Sequence, residues 1–314
     1  MTRRSRLLVL AIPLVAALAV GVPVVSRVEA NAAAALPVSN SFANSFPAGF
    51  GQPTVPPPGA NNGCKPNAAH PNPVILVHGT LENMNDNWRG ASPLLANNGY
   101  CVFALNYGGN APTDSVQGIG EIGASAAQLS TFVNQVLAAT GAAKVDIVGH
   151  SQGGLMPRAY IKNLGGAAKV GKLVGITPSN NGTTLSGLTT LGQQLGVLAQ
   201  VNQLLTGVAP ALPEQEIGSP FLTALNAGGE TVPGVTYTVI ATNNDEVVTP
   251  FQNSFLPAAA NVTNITVQNQ CAQDMTDHLE APYDPITLTD MLNALDPAHP
   301  QPVKCVPVRP VLGP

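Results

Sequence analysis

Charge is scarce in this sequence. Asp, Glu, Lys and Arg make up 10% of its 314 residues, where soluble proteins carry roughly 25%. The 13 basic and 17 acidic residues leave a formal net charge of -4. They form no basic patch, so nothing here would attract nucleic acid. Aromatic residues are few at 4%, with a single tryptophan, Trp88. Cysteine is limited to Cys64, Cys101, Cys271 and Cys305, with no CxxC pair and no Cys/His cluster. That pattern argues against a metal centre. No internal repeat is present.

Apolar residues are plentiful at 45%, enough for a sizeable core. The 31 glycines and 29 prolines suit a loop-rich extracellular protein of one large α/β domain plus a leader. Arg3, Arg4 and Arg6 precede an apolar run from Leu7 to Val25, and small-residue cleavage sites follow at Val28-Glu29-Ala30 and Ala30-Asn31-Ala32. Residues 1–32 therefore read as a secretory signal peptide, and the protein as secreted. An uncleaved membrane anchor is the alternative; Pro13, Pro23 and the small residues favour cleavage. An even number of cysteines in an exported chain points to two disulfides. Three pairings are open, and the sequence-local one, Cys64–Cys101 with Cys271–Cys305, is expected to staple the two ends of the domain.

Residues 33–60 are rich in Ala, Pro, Ser, Asn and Gly and read as a linker or surface-hugging arm unable to bury a core. Residues 61–314 are expected to form the catalytic domain. Short apolar runs at 74–77, 101–105, 145–148, 172–176, 237–241 and 264–267 predict strands. Helical spacing predicts helices over 91–98, 118–139, 154–164 and 286–295. This alternation predicts a parallel sheet covered by helices on both faces. Residues 183–220 break the pattern: Leu185, Leu188, Leu191, Leu195, Leu198 and Leu205 recur at helical spacing among uncharged residues. They form either a core-packed helix or a lid whose leucine face borders an acyl pocket.

Gly149-His150-Ser151-Gln152-Gly153 follows the strand at 145–148 and opens into a helix. This is the nucleophile elbow, in which small neighbours let the chain turn sharply and lift the serine hydroxyl above the sheet edge. A serine hydroxyl needs a base, and the base needs an orienting acid. In this chain order the acid comes next and the histidine last. His278 and His299 are the two histidines after Ser151. His299 lies in the tail beyond the last helix, so His278 is the expected base. Asp245 follows the strand at 237–241 and lies at the catalytic sheet edge. It is the expected acid, while neighbouring Glu246 is expected to point elsewhere. Asp274 and Asp277 stand too close to His278 in sequence and read as capping or solvated loop residues; Asp146 reads as structural. Oxyanion donors are expected from the N–H of Gln152 and from Thr80 in the Gly79-Thr80 loop, whose hydroxyl could serve as a third. His78 and His150 read as supporting residues and Trp88 as core or rim.

Leu76-Val77-His78-Gly79-Thr80, Val148-Gly149-His150-Ser151-Gln152-Gly153-Gly154, Thr177-Pro178-Ser179-Asn180-Asn181-Gly182-Thr183 and Asn244-Asp245-Glu246-Val247-Val248-Thr249-Pro250 resemble secreted bacterial class 2 lipases. The Gly79-Thr80 loop, the Ser-Gln-Gly-Gly elbow and a cysteine shortly before the histidine are also similar to the yeast lipase B type. That type has Thr where this chain has Gly149. The resemblance, spanning roughly residues 64–305, implies the α/β-hydrolase fold, an oxyanion role for Thr80 and Gln152, and the two local disulfides. It further implies activity on acylglycerols or other fatty esters through Ser151, Asp245 and His278. No metal or organic cofactor is required. The expected partner is a lipid or other ester substrate, with transient contact at a lipid interface and a monomeric chain. Rival expectations are a polyester hydrolase or an acyltransferase using the same triad, or a non-catalytic binding protein on this scaffold.

Overall fold

Val74-Ile75-Leu76-Val77 has no polar alternate position, so as a strand it must be covered on both sides. The computed structural model describes residues 34–184, 186, 187, 190, 194, 195 and 209–314. Six parallel strands are described: β1 (Val74–Val77), β2 (Val102–Leu105), β3 (Val145–His150), β4 (Val170–Ile176), β5 (Thr236–Ala241) and β6 (Val262–Thr266). They lie in the order β2-β1-β3-β4-β5-β6. Every adjacent pair is parallel. Eight α-helices are described: α1 (Phe42–Phe50), α2 (Met84–Asn87), α3 (Ala91–Asn97), α4 (Ile122–Thr140), α5 (Gln152–Asn163), α6 (Ala211–Glu214), α7 (Pro220–Asn226) and α8 (Pro285–Leu295).

Alternate strand residues feed two cores. Ile75, Val77, Ile147, Leu173 and Val239 pack on one face with Leu129 and Val133 of α4 and Leu155 and Met156 of α5. Val74, Leu76, Val148, Val174 and Ile240 pack on the other with Leu95 of α3 and Ile286, Met291 and Leu292 of α8. β1 is buried at every position, which is why it reads as an unbroken apolar run, whereas the edge strand β6 (VTNIT) is half-buried to exposed and mixes polar with apolar residues. The layout is the expected α/β-hydrolase architecture.

Two expectations need correction. The helix predicted from residue 118 begins at Ile122. Gly118, at φ 67, bends the chain first, and Ile119 and Gly120 both donate to the Gly108 carbonyl at 2.9 and 2.7 Å. The stretch 33–60 does bury core surface, because it contains α1. Ser41 caps that helix by accepting the Asn44 N–H. Phe42, Phe46 and Phe50 stack along one face at 4.8 and 4.7 Å, and Phe42 packs with Leu81, Leu279 and Tyr283. A one-turn phenylalanine spacing in a Pro/Ala-rich background is enough to anchor it.

Both disulfides form with the sequence-local pairing, Cys64–Cys101 and Cys271–Cys305. The expected signal peptide lies outside the described residues. So do Leu185, Leu188, Leu191, Leu198 and Leu205 of the expected lid; Leu195 is buried in the cluster that holds Phe42. Among the described residues, no helix is long and apolar enough to cross a membrane.

Candidate active site

β3 delivers Ser151 to the C-terminal edge of the sheet. The residue sits at φ 53, ψ -124, between the last strand residue and the first turn of α5. A non-glycine residue there carries backbone strain of order 1–3 kcal/mol. The surroundings hold it in place: Ser151 N–H donates to the Ile176 carbonyl at 2.9 Å. A Cβ at Gly149 would collide with the Gly153 carbonyl, and one at Gly153 with the Val77 carbonyl. The two elbow glycines are thus required by close backbone approach. Ser151 stands at the positive end of α5, where developing negative charge is favoured.

His278 lies between the Cys271–Cys305 staple and α8, fully buried. Its Nδ1 is 3.0 Å from each carboxylate oxygen of Asp245. Nδ1 therefore carries a proton and donates it, which leaves Nε2 as the basic nitrogen. Asp245 also accepts the N–H groups of Val247 and Val248 at 3.0 and 2.7 Å, which fixes its carboxylate. His278 Nε2 is buried and has no hydrogen-bond partner among the described residues. Burial disfavours the imidazolium, but the Asp245 charge and hydrogen bond, aided by Glu246 and Glu82, outweigh it and raise the His278 pKa above 6.5. The His278 ring is 4.9 Å from that of His150, the residue before Ser151, so the histidine loop meets the elbow.

Thr80 follows β1 in the loop beside the elbow. Its hydroxyl accepts from the side-chain amides of Gln152 at 2.8 Å and Gln215 at 3.0 Å. Two donors occupy both lone pairs, so the hydroxyl proton must point towards a third group. Gln152 also donates to the Gly118 carbonyl at 2.8 Å. Gln215 accepts from Ser179 at 2.9 Å and donates to the Ala211 carbonyl at 3.0 Å. No sequence signal marks Gln215, which reaches the site only through tertiary packing. Buried apolar residues stand beside the polar site residues: Leu81 next to Thr80, Leu279 next to His278 and Val247 two positions after Asp245. All three join one cluster with Ile119, Leu195 and Leu212.

Glu246 does not point away: its carboxylate accepts the His278 backbone N–H at 3.4 Å and the Gln194 amide at 2.8 Å. Asp274 and Asp277 are buried caps, accepting the N–H groups of Thr276 and Glu280, both at 2.8 Å. They are not solvated, because α1 and the C-terminal segment cover this loop through contacts from Phe42 to Glu280 and from Ala43 to Val311. His299 is exposed and pairs with Asp296. Asp146 is structural, holding Asn72 and Lys172. Trp88 is fully buried core. His78 stacks on Tyr107 at 4.4 Å, and burial pushes its pKa down to about 4. Among the described residues, no group of three His, Cys, Asp or Glu side chains could hold a metal ion.

Over 91 residues the chain is 45% identical to a triacylglycerol lipase of Pseudarthrobacter phenanthrenivorans, covering 27% of each protein. It is equally identical over 91 residues to a triacylglycerol lipase of Burkholderia plantarii, covering 27% of this chain and 24% of that one. The matches thus span about a quarter of these curated relatives. The structure is similar to that of lipase B of Aspergillus fumigatus, with a TM-score of 0.59 and 22% identity over 84% of this chain and 65% of that one. That likeness establishes a shared fold. The model of the class 2 lipase family matches residues 71–286, which contain the elbow, the Asp245–His278 pair and the Gly79-Thr80 loop, and the chain belongs to that family.

Proposed function

We propose that this protein is a secreted serine hydrolase that cleaves carboxylic esters, with acylglycerols as its substrate class. One observation carries the reading: a strained serine stands on a strand-to-helix elbow, and the ring of the residue before it lies 4.9 Å from that of a buried histidine whose Nδ1 is held by Asp245 while Nε2 has no partner among the described residues. In the first half-reaction, His278 Nε2 takes the Ser151 proton as the hydroxyl oxygen attacks the ester carbonyl. Asp245 keeps the ring in the required tautomer and stabilises its cation. The N–H groups of Thr80 and Gln152 bind the oxyanion, and the Thr80 hydroxyl adds the proton that its two amide partners direct away from themselves. The tetrahedral intermediate collapses, and His278 returns its proton to the leaving alcohol. Water, deprotonated by the same nitrogen, then releases the acid from the acyl-serine.

The buried apolar cluster of Leu81, Val247 and Leu279, each within two residues of a site residue, supports a hydrophobic acyl group. Two disulfides and the basic-then-apolar N-terminus support secretion. The test is hydrolysis of p-nitrophenyl esters from acetyl to palmitoyl by the wild type and Ser151→Ala. Activity that rises with acyl length and vanishes in the variant is expected. Activity unaffected by Ser151→Ala would overturn the reading. Preferential transfer of the acyl group to added alcohol would replace hydrolase with acyltransferase.

A further inference from the structure

Beside the Asp245–His278 pair lies a second carboxylate–imidazole pair that the reaction does not use. Glu82 and His150 are each 1% exposed. His150 Nδ1 is 3.0 Å from Glu82 Oε2, and its Nε2 is 3.0 Å from the backbone carbonyl oxygen of His278. A carbonyl can only accept, so Nε2 must carry a proton and donate it. That bond occupies the nitrogen a second base would need. The ring is oriented from its other side. Glu82 faces Nδ1, and the Asn87 amide lies 2.9 Å from Nδ1 and 3.0 Å from Glu82 Oε1. Room for the couple comes from Gly79, where a Cβ would collide with Glu82 Oε2.

We propose that His150 is a positioning residue for His278, holding its backbone carbonyl through Nε2–H, with Glu82 and Asn87 fixing the His150 ring. The contact joins the residue before the nucleophile to the backbone of the base across 128 positions of sequence. It therefore ties the two reacting groups to one frame. Side-chain contact with Asp245 sets the rotation of the His278 ring, whereas His150 sets the position of its backbone. The inference rests on the assignment of His278 as the base.

The test compares His150→Phe, which keeps a ring but removes the donor, with His150→Gln, which restores an amide donor. Each is combined with Glu82→Gln so that no buried carboxylate is left unpaired. Active sites are counted with a fluorophosphonate, and turnover of p-nitrophenyl butyrate is expressed per labelled site. Loss of the donor is expected to lower kcat on the order of tenfold or more, since small misplacement of a reacting group is costly. KM should stay within about twofold, and the glutamine variant should recover part of the loss. Equal kcat per site in wild type and His150→Phe would overturn the proposal, leaving His150 a packing residue. A histidine-selective nitrogen NMR spectrum of the wild type supplies a readout independent of both folding of variants and activity. A protonated, exchange-protected His150 Nε2 is expected, and an unprotonated one would overturn the proposal. A wild type that hydrolyses no ester would instead count against the functional reading, while the spectrum would still decide the hydrogen bond.

Discussion

The side-chain amide of Gln215 donates to the Thr80 hydroxyl at 3.0 Å, linking residues 135 positions apart. With Gln152 as the second donor, it leaves the hydroxyl proton free for the oxyanion of the proposed reaction. Thr80→Val, which keeps the shape and removes that proton, is expected to lower kcat by about 10²-fold. Gln215→Leu leaves the hydroxyl in place but lets it rotate, so a smaller loss in kcat with little change in KM is expected. Steady-state kinetics on a short ester separates the two. A Gln215→Leu effect confined to KM would make Gln215 a substrate contact instead.

Asp245→Asn should preserve the loop, because the amide oxygen can still accept from Val247 and Val248. The amide nitrogen would then face His278 Nδ1 and favour the wrong tautomer. A kcat loss of about 10⁴-fold with an almost unchanged melting temperature is expected. The pH profile tests the same pair. The proposed mechanism needs neutral His278, whose pKa is raised above 6.5, so kcat/KM should rise with pH through a midpoint above that value. Residual activity of Asp245→Asn should rise at lower pH, because the charge that raised the midpoint is gone.

Glu280 is buried and holds α1 by accepting the Phe42 N–H at 2.9 Å. Burial, with Asp277, Asp284 and Asp274 nearby, pushes its pKa up to about 8 from 4.5. The folded state thus binds this proton more tightly than the unfolded state does. Stability from the group is complete below about pH 4.5 and is lost as pH rises to about 8. Asp274, raised to about 7, acts in the same direction. Melting temperature should therefore fall across this interval, and Glu280→Gln should flatten the fall while keeping the bond to Phe42. An unchanged slope in the variant would remove Glu280 as its source.

The two disulfides should separate stability from activity. They close stretches of 37 and 34 residues, each removing unfolded-state entropy worth about 3–4 kcal/mol. Replacing Cys64 and Cys101 with Ser should lower stability and leave kcat almost unchanged, since that bridge joins the chain before β1 to the start of β2. Replacing Cys271 and Cys305 should cost both, because Cys271 begins the loop that carries His278. Denaturant melts and active-site titration on both double variants measure the difference.

The core and the elbow were legible because their physics is local. A strand buried on both faces is apolar at nearly every position: β1 and β2 are wholly apolar, and β3 to β5 hold apolar runs around a few polar residues such as Asp146, Lys172 and Thr238. A sharp strand-to-helix turn leaves no room for side chains, hence Gly149 and Gly153 around Ser151. Chain order after Ser151 left few residues able to serve as acid and base, and the structure brings Asp245 and His278 into contact. The α1 helix is hidden by composition, because the stretch around Phe42, Phe46 and Phe50 resembles a linker and only their spacing signals a helix.

The sequence by itself determined the parallel α/β layout, the elbow and the short list of residues proposed to react, because periodicity, turn sterics and chain order act over a few residues at a time. Only the tertiary structure decided which residues aim them. Gln215 on Thr80, Glu246 on the His278 N–H and His150 on the His278 carbonyl each join positions 32 to 135 residues apart. A buried polar side chain is recognisable by the partner that satisfies it, and that partner is set by folding rather than by neighbours in sequence.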